Sequence, residues 1–281
     1  MADRSRWLVS TEWLAAHLTD PDVVVVDASW HLAPTGRDAR KEYDAAHIPG
    51  AVFFDIDAIA DTSIPLPHML PSAEQFAADV GALGIDERQR IVIYDTAGLG
   101  PAPRGWWTFR AMGARDVVIL DGGLPKWIAE GRPVDAHPVK RAPRTFAARL
   151  RANAVSNLEQ VRSGVASGAF QLVDARPAAR WRGEAPEPRP WVKTGRVPGS
   201  FSVPSVDLIA DGRLKDVAAL RAAFDAAGVD LSKPIVTSCG SGVNAATLNL
   251  ALDMLGVPDA GLYDGSWTEW GARDDTPIAT G

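Results

Sequence analysis

The sequence predicts an α/β protein made of two copies of one domain, each a mostly parallel sheet flanked by helices. Short runs of β-branched and aliphatic residues alternate with helical stretches, as parallel sheets with crossover helices require. Short motifs also recur in the same order along the chain. Asp27 and Asp174 lie 147 positions apart, and Asp121 and Asp264 lie 143 apart. Chance matches would not keep order and spacing together, so the chain is a tandem duplication.

The first half predicts strands and helices in alternation. Ser10 is placed to cap a helix over residues 12–18, and Val23–Asp27 is an unbroken β-branched run typical of a buried parallel strand. The turn at His47–Val52 leads into a second strand. Further helices are expected at 40–46, 74–83 and 102–112 and after 122, and further strands at 90–95 and 117–121.

The pattern lapses between the two copies. Prolines and arginines dominate residues 133–152, which predicts a surface linker between a first domain at 1–132 and a second at 153–281. The second copy repeats the landmarks of the first. The repeats are Val173-Asp174-Ala175, Arg196-Val197-Pro198-Gly199, Ile235-Val236-Thr237-Ser238-Cys239 and Tyr263-Asp264-Gly265-Ser266.

Composition limits the classes of function. A net charge of −6 argues against nucleic-acid binding, and no run approaches the roughly 20 apolar residues of a membrane span. The one cysteine excludes an internal disulfide, and the first residues do not form a secretory signal, so the cytoplasm is the expected compartment. The histidine spacing does not match a metal site, so no metal is expected.

Cys239 stands at the corner between a predicted strand and a predicted helix from about Asn244 to Leu255. Gly240 and Gly242 let the backbone turn tightly at positive φ, so that peptide N–H groups and the helix amino end surround the sulfur. Such a cradle favours the thiolate and predicts a nucleophile. A buried structural cysteine is the alternative. The first copy carries Asp95 at the matching position, and this copy is expected to be catalytically silent.

These motifs resemble the rhodanese superfamily over essentially the whole chain. The resemblance is carried by Val26-Asp27-Ala28-Ser29-Trp30, Leu120-Asp121-Gly122-Gly123, Tyr263-Asp264-Gly265-Ser266-Trp267 and Cys239-Gly240-Ser241-Gly242-Val243. It implies two tandem rhodanese-like domains that transfer sulfur through the cysteine, with the loop residues Gly240, Gly242, Val243 and Asn244 lining the substrate site. Relatives that use thiosulfate carry basic residues after the cysteine. Here Gly240 and Ser241 match the branch that uses mercaptopyruvate.

The sequence departs from that branch at two positions. Asn244 stands where Thr is usual, and we expect it to cap the following helix as Thr does. Arg196 stands where relatives often have His, and it is given no role.

Four arginines crowd the segment from Asp174 to Arg189. The resemblance assigns Arg180 and Arg189 to the carboxylate of a 2-oxo acid, which guanidinium groups suit. A solvated basic loop, partly neutralised by Glu184 and Glu187, is the alternative, and Arg176 and Arg182 are expected to belong to it.

The resemblance also implies a proton relay of Asp57, His68 and Ser241, with the first two residues contributed by the first domain. His68, oriented by Asp57, would move a proton through Ser241 to the substrate carbonyl or the departing enolate. The alternative is that His68 only packs a domain interface.

The expected reaction moves sulfur from 3-mercaptopyruvate to a Cys239 persulfide and then to a small thiol, cyanide or reduced thioredoxin, releasing pyruvate without an organic cofactor. Thiosulfate as donor is the main alternative. A non-catalytic binding module is a further one. A Cys-loop-Arg phosphatase is disfavoured, because its phosphate-binding arginine is replaced by Ala245.

Overall fold

The computed structural model describes residues 4–281 and divides into two compact units. The first unit comprises the described residues through Asp61, then Leu70–Arg151 and Asp211–Leu214. The second comprises Thr62–Met69, Ala152–Ala210 and Lys215–Gly281. Segment 62–69 therefore belongs to the second unit, although the sequence places it within the first copy.

The sheet of the first unit is parallel in every described pairing, in the order β1-β5-β4-β2-β3. Its strands are β1 (Leu8–Val9), β2 (Val23–Asp27), β3 (Val52–Phe53), β4 (Arg90–Tyr94) and β5 (Asp116–Leu120). All five residues of β2 are buried, as the unbroken β-branched run predicts. The registry pairs Val23 with Arg90 and Asp27 with Tyr94.

Helices flank this sheet at the expected places. They are α1 (Thr11–His17), α2 (Ala39–Ala45), α3 (Ala73–Ala82), α4 (Ala102–Ala111) and α5 (Gly123–Ala129), with a 3-10 turn at Ala33–Thr35. The Ser10 side chain accepts a hydrogen bond from Trp13 N, which confirms the predicted cap of α1. The core between the layers includes the fully buried Trp127.

The second unit repeats this architecture in the order β6-β12-β11-β7-β8, again parallel. Its sheet strands are β6 (Val155–Ser156), β7 (Gln171–Asp174), β8 (Phe201–Ser202), β11 (Ile235–Ser238) and β12 (Gly261–Tyr263). A further strand of this unit is β9 (Ile209–Ala210), whereas β10 (Arg213–Leu214) lies in segment 211–214, which belongs to the first unit. The helices are α6 (Leu158–Ser167), α7 (Ala178–Arg182), α8 (Val217–Ala226), α9 (Ala245–Met254) and α10 (Ser266–Trp270), with a 3-10 turn at Ser205–Leu208. The duplicated α/β fold is confirmed.

The segment between α5 and β6 runs without helix or strand but is not wholly superficial. Phe146 is buried and meets Phe76 edge-on at 5.3 Å between ring centroids. Arg144 N and Arg149 N donate to the carbonyls of Gly81 and Met112. This segment thus belongs to the first unit as far as Arg151.

Within residues 4–281, no helix combines the length and the apolar character that crossing a bilayer demands.

Candidate active site

Cys239 directly follows β11, at the carboxyl end of the central strand of the second sheet. The residue is 2% exposed, and its Sγ accepts the backbone N–H of Gly242 at 3.1 Å. Gly242 has φ of 81°, in the left-handed region that favours glycine. The chain then enters α9 at Ala245. The predicted strand, loop and helix are therefore present, with a peptide N–H directed at the sulfur.

Gly240 serves a different purpose from the expected one. It does not adopt positive φ, so the expectation that both glycines supply such a turn is wrong for this position. A Cβ built on Gly240 would lie 3.3 Å from Arg180 Nη2. The missing side chain therefore leaves room for a guanidinium against the cysteine loop.

The turn after β12 is hydrogen-bonded to the cysteine loop. Cys239 N donates to Ser266 Oγ at 3.1 Å, and Cys239 O accepts from Trp267 N at 2.9 Å. Gly240 O accepts from both the N–H and the hydroxyl of Thr268, at 2.9 and 2.5 Å. The backbone of Cys239 and Gly240 is therefore held by a second segment that is distant in the sequence.

Ser266 is a residue that sequence reasoning missed. It is fully buried and has φ of 51°, a conformation that is strained for a residue with a side chain. The first copy has Gly123 at this position, with φ of 55°. The serine retains the strained turn because its hydroxyl accepts the Cys239 N–H and donates to Tyr263 O at 2.8 Å. The change from glycine in the first copy to serine in the second is the sequence signal that could have pointed to this residue.

Arg180 and Arg189 both reach the Gly240 side of the loop. Arg180 Nη2 lies against Gly240, and Arg189 Nη1 donates to Thr268 Oγ1 at 3.3 Å. Thr268 in turn donates to the Gly240 carbonyl. Two permanently charged forks therefore stand at one edge of the nucleophile's loop, which is the arrangement a carboxylate-bearing substrate needs.

A buried ion-pair chain lies behind Arg180. The side chain of Glu187 is 3% exposed; its Oε2 accepts from Arg180 Nε and Nη2, and its Oε1 accepts from Arg176 Nη1 at 2.8 Å. Arg176 also pairs with Asp174 at 2.7 Å and lies over the Trp267 ring at 4.4 Å. Neither Glu187 nor Arg176 was expected to have a role in the site.

The expectation of a solvated loop is wrong for Arg176, which is 1% exposed. Its charge is matched by two buried carboxylates, as a buried guanidinium requires. Arg182 does fit that description. Its side chain is 41% exposed and pairs with the exposed Glu184 at 2.7 Å.

Two departures from the family pattern also find their places. Asn244 is exposed, has helical φ and ψ, and makes no capping hydrogen bond, so its expected capping role is wrong. Helical backbone angles turn its side chain away from the N–H groups that a cap must reach. Arg196 packs its guanidinium 4.1 Å from the Trp181 ring centroid and donates to Gly281 O at 2.7 Å. Arg196 is thus a structural residue.

The three relay candidates are distributed over both units. Ser241 is 7% exposed in the cysteine loop, and His68 is 5% exposed in segment 62–69, which belongs to the same unit. His68 has φ of 60°, a left-handed conformation that histidine tolerates better than most residues. Asp57 belongs to the first unit, is exposed, and accepts Trp30 Nε1 at 2.9 Å through Oδ2.

The corresponding loop of the first unit holds a carboxylate where the second holds sulfur. Asp95 is fully buried and accepts the backbone N–H groups of Ala97, Gly100 and Ala102 at 2.7–2.8 Å. Burial raises the pKa of Asp95, and these amide donors oppose that rise. Gly98 has φ of 93° and matches Gly242. The two loops thus have matching glycines at positive φ, and a carboxylate in the first loop stands where the second has a thiol.

Among the described residues, no cluster of three or more His, Cys, Asp or Glu side chains is arranged to hold a metal ion.

A tandem α/β protein with a cysteine at the carboxyl end of a central parallel strand defines a class, and comparison with known proteins identifies it. The model of the rhodanese-like domain matches residues 10–130 and again 157–273. The chain belongs to the rhodanese family.

Named relatives cover nearly the full chain. The 3-mercaptopyruvate sulfurtransferase of Escherichia coli K12 is 43% identical over 275 residues, spanning 97% of both chains. The human 3-mercaptopyruvate sulfurtransferase is 42% identical over 98% of this chain and 96% of its own. The thiosulfate sulfurtransferase of Rattus norvegicus is 43% identical over 95% and 93%.

The crystal structure of SseA from Escherichia coli, a 3-mercaptopyruvate sulfotransferase with the rhodanese fold, superposes with a TM-score of 0.86 at 40% identity. It covers 93% of this chain and 98% of its own. The chain is therefore a sulfurtransferase, an enzyme that takes sulfur from a donor and passes it to an acceptor.

Proposed function

We propose that this sulfurtransferase uses 3-mercaptopyruvate as its donor and carries the sulfur as a persulfide on Cys239. The observation that supports this choice most is the pair of guanidiniums, from Arg180 and Arg189, at the Gly240 edge of the loop. A 2-oxo acid presents a carboxylate beside a ketone, and two planar forks can bind both groups while the thiol points at Cys239. Gly240 and Ser241 add no charge at the entrance.

The first half-reaction balances without a cofactor. The Cys239 thiolate attacks the donor sulfur, an S–S bond forms, and the C–S bond breaks with its electron pair moving to carbon. The proton of the donor thiol is transferred to that carbon, so that pyruvate leaves and Cys239 retains a deprotonated persulfide. The developing enolate is the species that a proton donor stabilises.

The first unit supplies an internal guide to how the persulfide would be held. Asp95 aligns with Cys239, and its carboxylate already accepts three loop amides. With the same spacing, the matching amides in the second unit belong to Ser241, Asn244 and Ala246, of which Ala246 N donates to Val243 O at 3.3 Å. The terminal sulfur of the persulfide is also an anion, and it would be held by the amides of Ser241 and Asn244 and by the Gly242 N–H. Asn244 would thus contribute backbone to the binding site, and Val243 stays a predicted residue of its lining.

Protonation of the leaving enolate is assigned to Ser241 and His68, with Asp57 as the orienting carboxylate. Support for this comes from the family resemblance and from the burial of His68 and Ser241 in the same unit. An imidazole can accept a proton on one ring nitrogen and donate one from the other, which suits a group that must be restored in each turnover.

The second half-reaction returns the thiolate. A small thiol, cyanide or reduced thioredoxin would attack the terminal sulfur. With a dithiol such as thioredoxin, the acceptor is oxidised to a disulfide and hydrogen sulfide leaves, which balances protons and charge.

The compartment of this protein stays a prediction. The sequence favours the cytoplasm, but one Arabidopsis thaliana relative is named as mitochondrial.

Thiosulfate is the second candidate donor, because the rat relative named thiosulfate sulfurtransferase is as similar as the mercaptopyruvate enzymes. The same two guanidiniums would attract its double negative charge. The chain has no basic residue at positions 240 and 241, which disfavours thiosulfate relative to the 2-oxo acid.

Two measurements together test the proposal. Steady-state kinetics with each donor should give a higher kcat/KM for mercaptopyruvate than for thiosulfate. Mass spectrometry after mercaptopyruvate without acceptor should show one added sulfur on the Cys239 peptide, and none in Cys239→Ser. A preference for thiosulfate would refute the donor assignment, and sulfur transfer by the serine variant would refute the nucleophile.

A further inference from the structure

A groove of about 510 Å³ opens on the first unit, at the amino ends of β4 and β5. Its charged lining consists of Arg6, Arg90, Arg110, Arg115, Arg151 and Asp116. The whole protein carries a net charge of −6, so five arginines around one opening depart strongly from the average surface. All these residues lie in the first unit, whereas Cys239 lies in the second.

Neighbouring groups hold several of these guanidiniums in place. Arg90 Nε donates to Asp116 at 2.7 Å, and its guanidinium lies 5.2 Å from the Trp13 ring centroid. Arg110 lies 4.7 Å from the Trp106 ring, and Arg6 lies 5.6 Å from the Trp7 ring. Stacking on an aromatic face restricts a guanidinium while leaving its N–H edge able to donate. The groove therefore has a partly ordered set of donors.

The duplication provides a control within the molecule. The second unit has a groove of about 290 Å³ at the same end of its sheet, lined by Asn153, Pro234 and Asp259 among others and by no arginine or lysine. The repeat and the strand registry pair Arg6 with Asn153, Arg90 with Pro234, Arg110 with Asp253 and Arg115 with Pro258. The positive charge is thus specific to the first copy and is not required by the fold.

One feature opposes anion binding at this place. The carboxyl end of α4 lies beside the groove at Arg110 and carries the equivalent of about half a negative charge. Together with Asp116 it offsets fewer than two of the five arginines, so the groove stays positive.

We infer that this groove is a binding site for a small, multiply charged phosphate compound. The volume is in the range of small-molecule sites, which favours a compact ligand over an extended acidic peptide. Guanidinium forks on several sides of one opening match the many oxygens of a chain of phosphates. A single carboxylate could engage only one or two of them. This inference does not rest on the proposed function.

Isothermal titration calorimetry of the full-length protein with inorganic tripolyphosphate tests the site. The test variant is Arg6→Gln/Arg115→Gln, because both side chains belong to exposed residues. The matched control is Arg40→Gln/Arg88→Gln, which removes the same charge from exposed positions of the same unit outside the groove. The expected Kd rises at least about tenfold in the test variant, the loss of one charge-assisted contact, and less than about twofold in the control.

Wild-type binding should also weaken with added salt. Sulfur transfer and the thermal midpoint should be unchanged in the Arg6→Gln/Arg115→Gln variant, which separates ligand loss from misfolding. Titration with ATP then distinguishes the source: tighter binding than tripolyphosphate points to a nucleotide, and equal binding points to the phosphate chain alone. No wild-type binding at millimolar tripolyphosphate, equal weakening in both variants, or tighter binding of hexa-aspartate would overturn the inference.

Discussion

The carboxylate of Glu187 binds two arginines for which the sequence predicts different roles: Arg180 is expected to bind the substrate, and Arg176 is expected to lie in a solvated loop. One oxygen binds the buried Arg176, and the other binds Arg180, whose Nη2 lies against Gly240. A guanidinium held by a fixed carboxylate loses less rotamer freedom when a substrate arrives. At the scale of single residues, the site therefore depends on side chains behind the arginines as much as on the arginines themselves.

Arg180→Ala and Arg189→Ala should each raise the KM for mercaptopyruvate by roughly 10- to 150-fold, the effect of losing a charge-assisted contact worth on the order of 1.5–3 kcal/mol. Arg182→Ala is the matched control, because that arginine is exposed and pairs with the exposed Glu184 in the same loop. Steady-state kinetics of the three variants is the measurement. Equal KM values in all three variants would refute the substrate-binding role of Arg180 and Arg189.

Glu187→Gln should raise the KM for mercaptopyruvate while Glu184→Gln, in the exposed pair of the same loop, leaves it unchanged. Removing one partner of a buried pair also lowers stability, so the double variant Arg180→Ala/Glu187→Gln is needed. If Glu187 acts by positioning Arg180, the double variant has the KM of Arg180→Ala alone. Additive increases in KM would mean that Glu187 has only a structural role.

Cys239, Arg180 and Arg189 could be singled out from the sequence because each lies in a short motif that resembles the family's, and their roles stay predictions. Sequence reasoning missed Ser266 and Thr268, which contact the loop only because distant segments fold together, and it missed the contact of Glu187 with Arg180. Comparing the two copies of the domain could have revealed part of what was missed. Asp174 is followed two places later by Arg176, with which it forms a buried ion pair, whereas Asp27 is followed by Ser29.

At the scale of elements, the cysteine loop and the turn that begins α10 are held together by hydrogen bonds. The loop supplies the sulfur and the hydroxyl of Ser241, and the turn fixes the Cys239 and Gly240 backbone. Strand, loop and helix boundaries here could be predicted to within about one residue from Gly spacing and β-branched runs. The assignment of segment 62–69 to the second unit could not, because it depends on contacts that no local pattern records.

Ser241→Ala and His68→Ala test the relay between the loop and that segment. Each should lower kcat with mercaptopyruvate and leave thiosulfate cleavage nearly unchanged, because sulfite leaves thiosulfate without needing a proton on carbon. The double variant should be little worse than either single one, since members of one relay fail together. Multiplying effects, or an equal loss with thiosulfate, would assign His68 to packing alone.

At the scale of the whole molecule, the two units keep one fold while their polar residues diverge. Asp95 has a carboxylate where the second unit has the Cys239 thiol, the groove of the second unit has no basic lining, and the buried Asp27 lacks the arginine that Asp174 has. Asp27 is fully buried with Ser29 N as a donor to Oδ1 at 2.9 Å. Burial raises its pKa to about 6, and hydrogen bonds from Ser29 oppose the rise.

This difference predicts opposite responses of the two aspartates to substitution. A carboxyl whose pKa is raised on folding, here from 3.8 to about 6, keeps its proton in the folded state while the unfolded chain loses it. Its contribution to stability is therefore present below pH 4 and lost as pH rises to about 6. Asp27→Asn should abolish that loss and stabilise the protein above pH 6 by on the order of 2–3 kcal/mol. Asp174→Asn should destabilise it throughout, since Arg176 would lose a buried partner. Denaturant unfolding at pH 5 and pH 8 compares the three proteins, and an Asp27→Asn variant less stable than wild type at pH 8 would contradict the assignment.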